Sequence, residues 1–300
     1  MSGRQERIGF IGTGIMGKPM ALNVMKAGYR LIAYDLNPKP LEELKGKGAS
    51  IGQSSKDVAS QSDTIITMLP NSEDAEKVIL GENGVIEGAK SNSVVIDMST
   101  IDPSASRKIA KALSGKNIKM VDAPVSGGAM GAEAGTLVIM VGGDKGVYEE
   151  CQDIFKAMGQ TIYYCGPIGS GGVVKIVNNL LAGIFGTATT EALALGVKAG
   201  VDFKTLYDVI CASSGQSRVM QVFFANKAFK GDFEPGFMTQ LAYKDLGLAM
   251  NLAKEQGVPL LLGALVHQIH SHVVASGFGK KDGSVQVKMM EDLINVKLRF

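Results

Sequence analysis

The chain has few of the residues that staple or span. It contains only three cysteines, Cys151, Cys165 and Cys211, odd in number and far apart in its 300 residues. That argues against a disulfide framework and fits the reduced thiols of a cytoplasmic protein. Neither sign of charge is in excess: 31 Lys and Arg stand against 29 Asp and Glu, a net charge of +2. Nothing in that balance favours a nucleic acid or an anionic membrane as partner. No run of about 18 uninterrupted apolar residues occurs, so no membrane-spanning helix is expected. The first strand is reached by Ile8, which leaves no room for a secretory signal. No repeat of 20–50 residues is evident. Histidine, the usual proton-transfer group, is confined to His267, His270 and His272 near the end. On a helix only the first two of these share a face, so no metal site is expected.

What the chain has in abundance is glycine, 38 residues clustered at 9–17, 127–135, 142–146 and 166–172. Clustering of that kind marks tight turns and close approach of backbone to a ligand. The 15 methionines fall mostly at core spacing and read as filling. At 45% apolar and 20% charged residues the composition is that of a soluble globular protein with a substantial core. Up to residue 166 short apolar strands alternate with helical stretches, as in a βαβ series. Beyond it the segments 171–199, 203–212, 218–228, 239–256, 260–276 and 284–296 all read as helices. The expected fold is therefore α/β: a Rossmann-type dinucleotide-binding domain over residues 1–166, followed by an all-α helical domain over 167–300.

Gly12, Gly14 and Gly17 have G-x-G-x-x-G spacing, with Ile15 and Met16 in the turn, between a strand (7–12) and a helix (15–28). Gly12 permits the tight turn, Gly14 lets the backbone approach a pyrophosphate at the helix N-terminus, and Gly17 allows helix and strand to pack closely. Asp35 ends the next strand, 18 residues beyond Gly17, where a carboxylate accepts from the adenosine ribose hydroxyls and repels a 2′-phosphate. NAD is the expected cofactor; Lys39 nearby leaves NADP open.

At this point the chain resembles a known family. GFIGTGIMGKPMALNVMKAG (9–28) is similar to the N-terminal signature of the β-hydroxyacid dehydrogenases, the group that includes 3-hydroxyisobutyrate dehydrogenase and tartronate semialdehyde reductase. Residues 68–90, DAPVSGG (122–128) with GTLVIMVGG (135–143), GSGGVVKIVNNLLAG (169–183) and KDLGLA (244–249) match in order. The resemblance implies that Lys175 is the general acid/base and that Ser126, Gly127 and Gly128 cradle a substrate carboxylate. It implies that Asn179 orients the substrate, while Asp245 helps hold the active site together and counts with the substrate-binding group. Leu69, Pro70 and Thr100 would line the cofactor, Lys244 would reach toward it, and Phe237 would pack near the nicotinamide. Thr13 departs from the family's usual leucine, a position expected to face the packing.

The residues argue in the same direction. In GSGGVVKIVNN (169–179), Lys175, Asn178 and Asn179 lie at i, i+3 and i+4 of an otherwise apolar helix. Hydride transfer to a carbonyl leaves an alkoxide that needs a proton, which an ammonium supplies. From spacing alone Lys175 reads equally as a snorkelling side chain, and Asn178 has no assigned role. The Ser126–Gly128 turn follows a strand and presents a hydroxyl and N–H groups to an anion. Ser213, Ser214 and Arg218 are candidates for a distal carboxylate, in a segment that resembles the 2-(hydroxymethyl)glutarate and tartronate-semialdehyde branch. Lys280, Lys281 and Asp282 read as a solvated turn. The apolar stretch 181–196 is expected between domains or subunits, which implies a homo-oligomer, a dimer or tetramer. The expected activity is NAD(P)-linked interconversion of a short β-hydroxy acid and its semialdehyde. The alternatives are a 3-hydroxyisobutyrate or 4-hydroxybutyrate dehydrogenase and, from another class, a non-catalytic dinucleotide-sensing module.

Overall fold

The structure, a computed structural model, describes residues 6–300. Among the described residues nine strands form one sheet: β1 (Arg7–Ile11), β2 (Arg30–Tyr34), β3 (Ser50–Ile51), β4 (Thr64–Thr67), β5 (Val94–Asp97), β6 (Lys119–Asp122), β7 (Val125–Ser126), β8 (Leu137–Gly143) and β9 (Gly159–Gly166). Their spatial order is β3-β2-β1-β4-β5-β6-β8-β7, with β9 alongside β8. From β3 to β6 every neighbouring pair is parallel, with Ile8 opposite both Leu31 and Thr64. The helices of this part are α1 (Gly17–Lys26), α2 (Pro38–Gly46), α3 (Ser55–Ser60), α4 (Ser72–Leu80), α5 (Val85–Gly88), α6 (Pro103–Ser114), α7 (Gly128–Ala134), α8 (Lys145–Glu150) and α9 (Gln152–Met158).

Successive side chains of a strand point to opposite faces, and both faces are covered here. Ile8, Phe10, Ile66 and Ile96 enter one core with Met20, Val24 and Phe155. Ile11, Ile65 and Val95 enter the other with Val58, Ile79 and Ile109. Such double burial explains why these strands are nearly continuous apolar runs.

The βαβ reading fails at the far side of the sheet. β8 runs antiparallel to β6 and β7, because the ten residues 127–136 are fewer than a parallel crossover needs. Residues 128–134 form a helix that their glycine and alanine content concealed, and the helical stretch after β8 breaks in two at Cys151. The N-cap of α4 is Asn71, whose side chain accepts from the Asp74 N–H.

The chain separates into two compact units, one ending at Lys175 and one running from Ile176 to Phe300. α10 (Ser170–Lys198) gives its first turns to the first unit. The second contains the rest of α10 with α11 (Phe203–Cys211), α12 (Thr239–Gln256), α13 (Leu261–Val273) and α14 (Gln286–Ile294). The expected helix 218–228 is instead a π-helical turn, Val219–Phe224, followed by a short 3-10 turn. The core of this unit is aromatic: Phe229 meets Phe203 with ring centroids 5.0 Å apart and Phe224 at 5.7 Å. The buried Glu291 carboxylate accepts from the Leu298 N–H and from Arg299, fixing the last residues.

One expectation for this unit is corrected. Asp282 is not part of a solvated turn. It is buried and accepts from the N–H groups of Gly236, Phe237 and Ser284 and from the Ser284 hydroxyl. A single carboxylate thus gathers three otherwise unsatisfied backbone donors, which residue type alone does not reveal. α10 is, by length and composition, apolar enough to cross a membrane, with a mean hydropathy of 1.5 over its best window. The criterion of uninterrupted runs missed it because Lys175, Asn178, Asn179 and Glu191 break the sequence. One face packs within the helical unit through Gly186, Thr187, Thr190, Leu193 and Ala194, and Thr187 donates to Gln286.

Phe155 is fully buried against Met20 and its neighbours. Phe155→Ala is expected to lower unfolding stability by about 3–5 kcal/mol, read as a fall in the urea midpoint with unchanged m.

Candidate active site

The glycine turn takes the form the dinucleotide motif requires. Gly12 has φ +91°, and its N–H donates to the Tyr34 carbonyl at 3.0 Å. A methyl on Gly17 would collide with the Gly12 carbonyl oxygen, and one on Gly12 with the Met68 carbonyl oxygen. Gly14 is different. It is exposed and open space lies where its side chain would be. α1 begins at this turn with no side-chain cap and no acidic residue in its first turn. Its N-terminal N–H groups and positive dipole end are left to an anion. Ile15 and Met16 stand at the same corner, Ile15 half-exposed and Met16 in the N-cap position. Asp35 follows β2, its Oδ2 accepting from the Thr13 N–H at 2.6 Å and the Thr13 hydroxyl at 3.2 Å. Thr13, expected merely to pack, is instead a buried ligand of this carboxylate. The cradle at Gly14, the uncapped helix and the held carboxylate fit a dinucleotide.

Leu69, Pro70 and Thr100 follow β4 and β5, on neighbouring strands at the same end of the sheet as the glycine turn. A network that the motifs did not mark holds Leu69. Asp97, fully buried, accepts from the Thr67 hydroxyl at 2.8 Å and the Ser99 hydroxyl at 2.6 Å, and the Leu69 N–H donates to the Ser99 oxygen at 2.8 Å. The signal was present: a lone carboxylate ends the apolar strand VVID, two residues before a serine.

The proposed substrate turn lies where β6 and β7 end. Gly127 and Gly128 have φ of +140° and +63°, the region that favours glycine. Gly128 faces open space, whereas a methyl on Gly127 would press on Leu137. Ser126 is half-buried beside them in β7, paired with Val138 of β8.

Four residues before Ser126, Asp122 ties this corner to the helix that carries Lys175. Its Oδ1 accepts from the Gly169 N–H at 2.6 Å and its Oδ2 from the Gly172 N–H at 2.7 Å. These are donors around the start of α10, where an anion also meets the positive end of the helix dipole. Gly171 and Gly142 leave no room for a side chain between carboxylate and helix. Burial pushes the Asp122 carboxyl up to about 6 against the pull of those two N–H groups, and Asp97 adds to the rise. Lys175 follows one turn later and is half-buried, not enclosed; Val174 and Val177 beside it are 42% and 47% exposed. The helix is thus half-open around Lys175, although its sequence reads as apolar.

In the helical unit, Asn179 is held at both ends. Its Nδ2 donates to Asp245 Oδ2 at 2.6 Å, and its Oδ1 accepts from the Asn178 amide at 3.0 Å. Asn178 thereby gains a role that spacing did not supply. Asp245, expected among the substrate-binding groups, is only 2% exposed and is bonded to Asn179. Lys244 Nζ lies 3.1 Å from Asp245 Oδ1. Phe237 is half-exposed, its N–H held by Asp282. Ser213, Ser214 and Arg218 are exposed beyond α11, and the Ser213 hydroxyl donates back to the Val209 carbonyl as a helix-ending serine does. His267 stacks on Tyr243 and His270 Nδ1 lies 3.0 Å from the Val266 carbonyl. An open groove of about 820 Å³, lined by Asn117, Lys119, Lys145 and Tyr164, contains none of the predicted site residues.

Fold and site together define a nucleotide-dependent oxidoreductase with a Rossmann-type domain and a helical domain. Residues 7–166 match the NAD-binding domain of 6-phosphogluconate dehydrogenase, and residues 169–290 match the NAD-binding domain of NADP-dependent 3-hydroxyisobutyrate dehydrogenase. The chain is 43% identical to 2-(hydroxymethyl)glutarate dehydrogenase of Eubacterium barkeri, covering 97% of each. It is 41% identical to mitochondrial 3-hydroxyisobutyrate dehydrogenase of Mus musculus, covering 92% of this chain and 84% of that one. Among solved structures, 3-hydroxyisobutyrate dehydrogenase of Mycobacterium tuberculosis with L-serine superposes with a TM-score of 0.87 at 30% identity, covering 96% of this chain and 99% of that one. The chain belongs to the family of NAD-dependent β-hydroxyacid dehydrogenases.

Because the Asp122 carboxyl is raised in the folded protein from about 3.8 to about 6, it favours the fold when protonated. That contribution is complete below pH 4 and is lost as pH rises through 6. Asp122→Asn removes the ionisation. Relative to this variant, the wild type is expected to lose about 2.5 kcal/mol of stability between pH 4 and pH 7, as measured by urea unfolding across that range.

Proposed function

We propose that this protein interconverts a short β-hydroxy acid and its semialdehyde, with Lys175 handling the proton. Bound NAD supplies the hydride acceptor when the alcohol is oxidised. The observation that carries the reading is Asp122, which joins the strand leading to the Ser126–Gly128 turn to the amides at the start of the Lys175 helix. In this reading the turn takes the substrate carboxylate through its hydroxyl and N–H groups. Lys175 withdraws the carbinol proton on oxidation and returns it to the developing alkoxide on reduction. Asn179, its amide fixed by Asp245 and Asn178, orients the substrate; Asp245 and Lys244 position it. In this reading Gly12, Gly14, Ile15, Met16, Gly17, Asp35, Leu69, Pro70 and Thr100 would hold the cofactor, and Phe237 is the residue the family resemblance assigns to its nicotinamide.

The substrate proposed is the semialdehyde of a hydroxymethyl dicarboxylate, as the name of the Eubacterium relative indicates, or tartronate semialdehyde. Arg218 with Ser213 and Ser214 would meet the second carboxylate. A homo-oligomer, dimer or tetramer, is proposed from the exposed Leu181, Phe185 and Leu195 of α10 and Leu261, Leu262 and Leu265 of α13.

The test is NADH oxidation on adding 2-formylglutarate, tartronate semialdehyde, succinic semialdehyde or methylmalonate semialdehyde, with butyraldehyde as the uncharged control. Turnover is expected with the first two and little with the control. Ser126→Ala is expected to raise KM about tenfold and to change kcat far less, the mark of a binding contact. No turnover with any acid of the panel, despite NADH binding, would favour a dinucleotide-sensing module instead.

A further inference from the structure

The two matching domains are described with different dinucleotides, NAD for one and an NADP-dependent enzyme for the other. In this chain the choice between them falls to the surroundings of Asp35. Its carboxylate is not a loose group at the end of a strand. Oδ2 accepts from both the backbone N–H and the hydroxyl of Thr13, and Oδ1 accepts from the Asn37 N–H at 2.8 Å. Any residue but proline supplies the backbone donor at position 13; the hydroxyl requires threonine or serine. Thr13 is fully buried, so its hydroxyl has no solvent to turn to.

Two donors from one residue on one oxygen, with a third on the other, fix both the position and the plane of the carboxylate. A carboxylate offers about four lone-pair directions, so three donors leave acceptor capacity for a ribose hydroxyl. A loosely held aspartate can rotate away from an incoming 2′-phosphate and so relieve the repulsion. This one is held in place. The two residues that follow, Leu36 and Asn37, offer no compensating cation, and the Asn37 side chain is engaged in capping α2. Lys39 is exposed on that helix.

We infer that Thr13 is a specificity-determining residue: its buried hydroxyl locks the Asp35 carboxylate, and this lock sets the preference for NAD over NADP. Thr13 acts through Asp35, as a positioning residue, and the inference rests on Asp35 being the ribose acceptor.

The experiment is calorimetric titration of the purified full-length protein with NAD+ and with NADP+ at one salt concentration, for wild type, Thr13→Val, Thr13→Ala, Thr13→Ser and Asp35→Ala. The wild type is expected to prefer NAD+ at least tenfold. Thr13→Val keeps the shape but loses the hydroxyl, and is expected to narrow that ratio roughly tenfold, by weaker NAD+ and tighter NADP+ binding. Thr13→Ala gives the same readout with no added bulk, and Thr13→Ser restores the wild-type ratio. A collapsed preference in Asp35→Ala alongside an unchanged ratio in both Thr13→Val and Thr13→Ala overturns the inference alone. Equal weakening of both dinucleotides, a purely structural effect, also overturns it. A wild-type ratio near one, or no effect of Asp35→Ala, removes the ribose reading and the inference with it.

Discussion

The molecule depends on the pairing of one buried carboxylate with two backbone amides. Asp122 ends a parallel strand, and its two oxygens accept from Gly169 and Gly172 around the start of the longest helix. Without that pairing the first turn of α10 would leave N–H groups unsatisfied against the sheet, and Lys175 would have no fixed place relative to the strand ends. The glycines around it follow from the same constraint, since side chains at Gly142 or Gly171 would occupy the space of the carboxylate or its neighbours. The cost of burying the charge shows in the raised carboxyl, and it is offset by charge-assisted hydrogen bonds.

The same device recurs at each working corner. Asp35 is held by Thr13, Asp97 gathers Thr67 and Ser99 beneath Leu69, Asp245 holds Asn179, and Asp282 holds the backbone of Gly236 and Phe237. In each case a carboxylate fixes a loop or amide beside a residue expected to touch cofactor or substrate. Catalysis by positioning needs such supports, because a small displacement of a reacting group costs rate steeply. Four of these five carboxylates are almost wholly buried; Asp35 is partly open, which leaves it room for the proposed ribose contact.

The fold was legible where periodicity and glycine spacing carry it: the parallel run from β3 to β6, the dinucleotide turn, and α10, α11 and α12 nearly to the residue. It was illegible where long-range partners decide. A seven-residue helix of glycine and alanine at 128–134 has no amphipathic stripe to announce it. The antiparallel return of β8 depends on loop length rather than on the strand's composition. Asp282 looked like a turn residue beside two lysines, since nothing local says that the distant N–H groups of Gly236 and Phe237 converge on it. Lys175, Asn179 and the Ser126–Gly128 turn were marked by residue type against an apolar background; Asp122, which holds the start of α10, and Asp97, which lies beneath Leu69, read as ordinary strand ends.

The central claim is that Lys175, at the end of this chain of supports, exchanges the proton that accompanies hydride transfer. Its most direct test is the pH dependence of kcat/KM for oxidation of the β-hydroxy acid by NAD+, in the wild type and in Lys175→Ala. The account predicts a rising limb in the wild type, set by deprotonation of the lysine. In the variant that limb disappears, kcat falls about 10²–10⁴-fold, and NAD+ binding stays within a few-fold. A variant that keeps both the limb and near-normal turnover would contradict it.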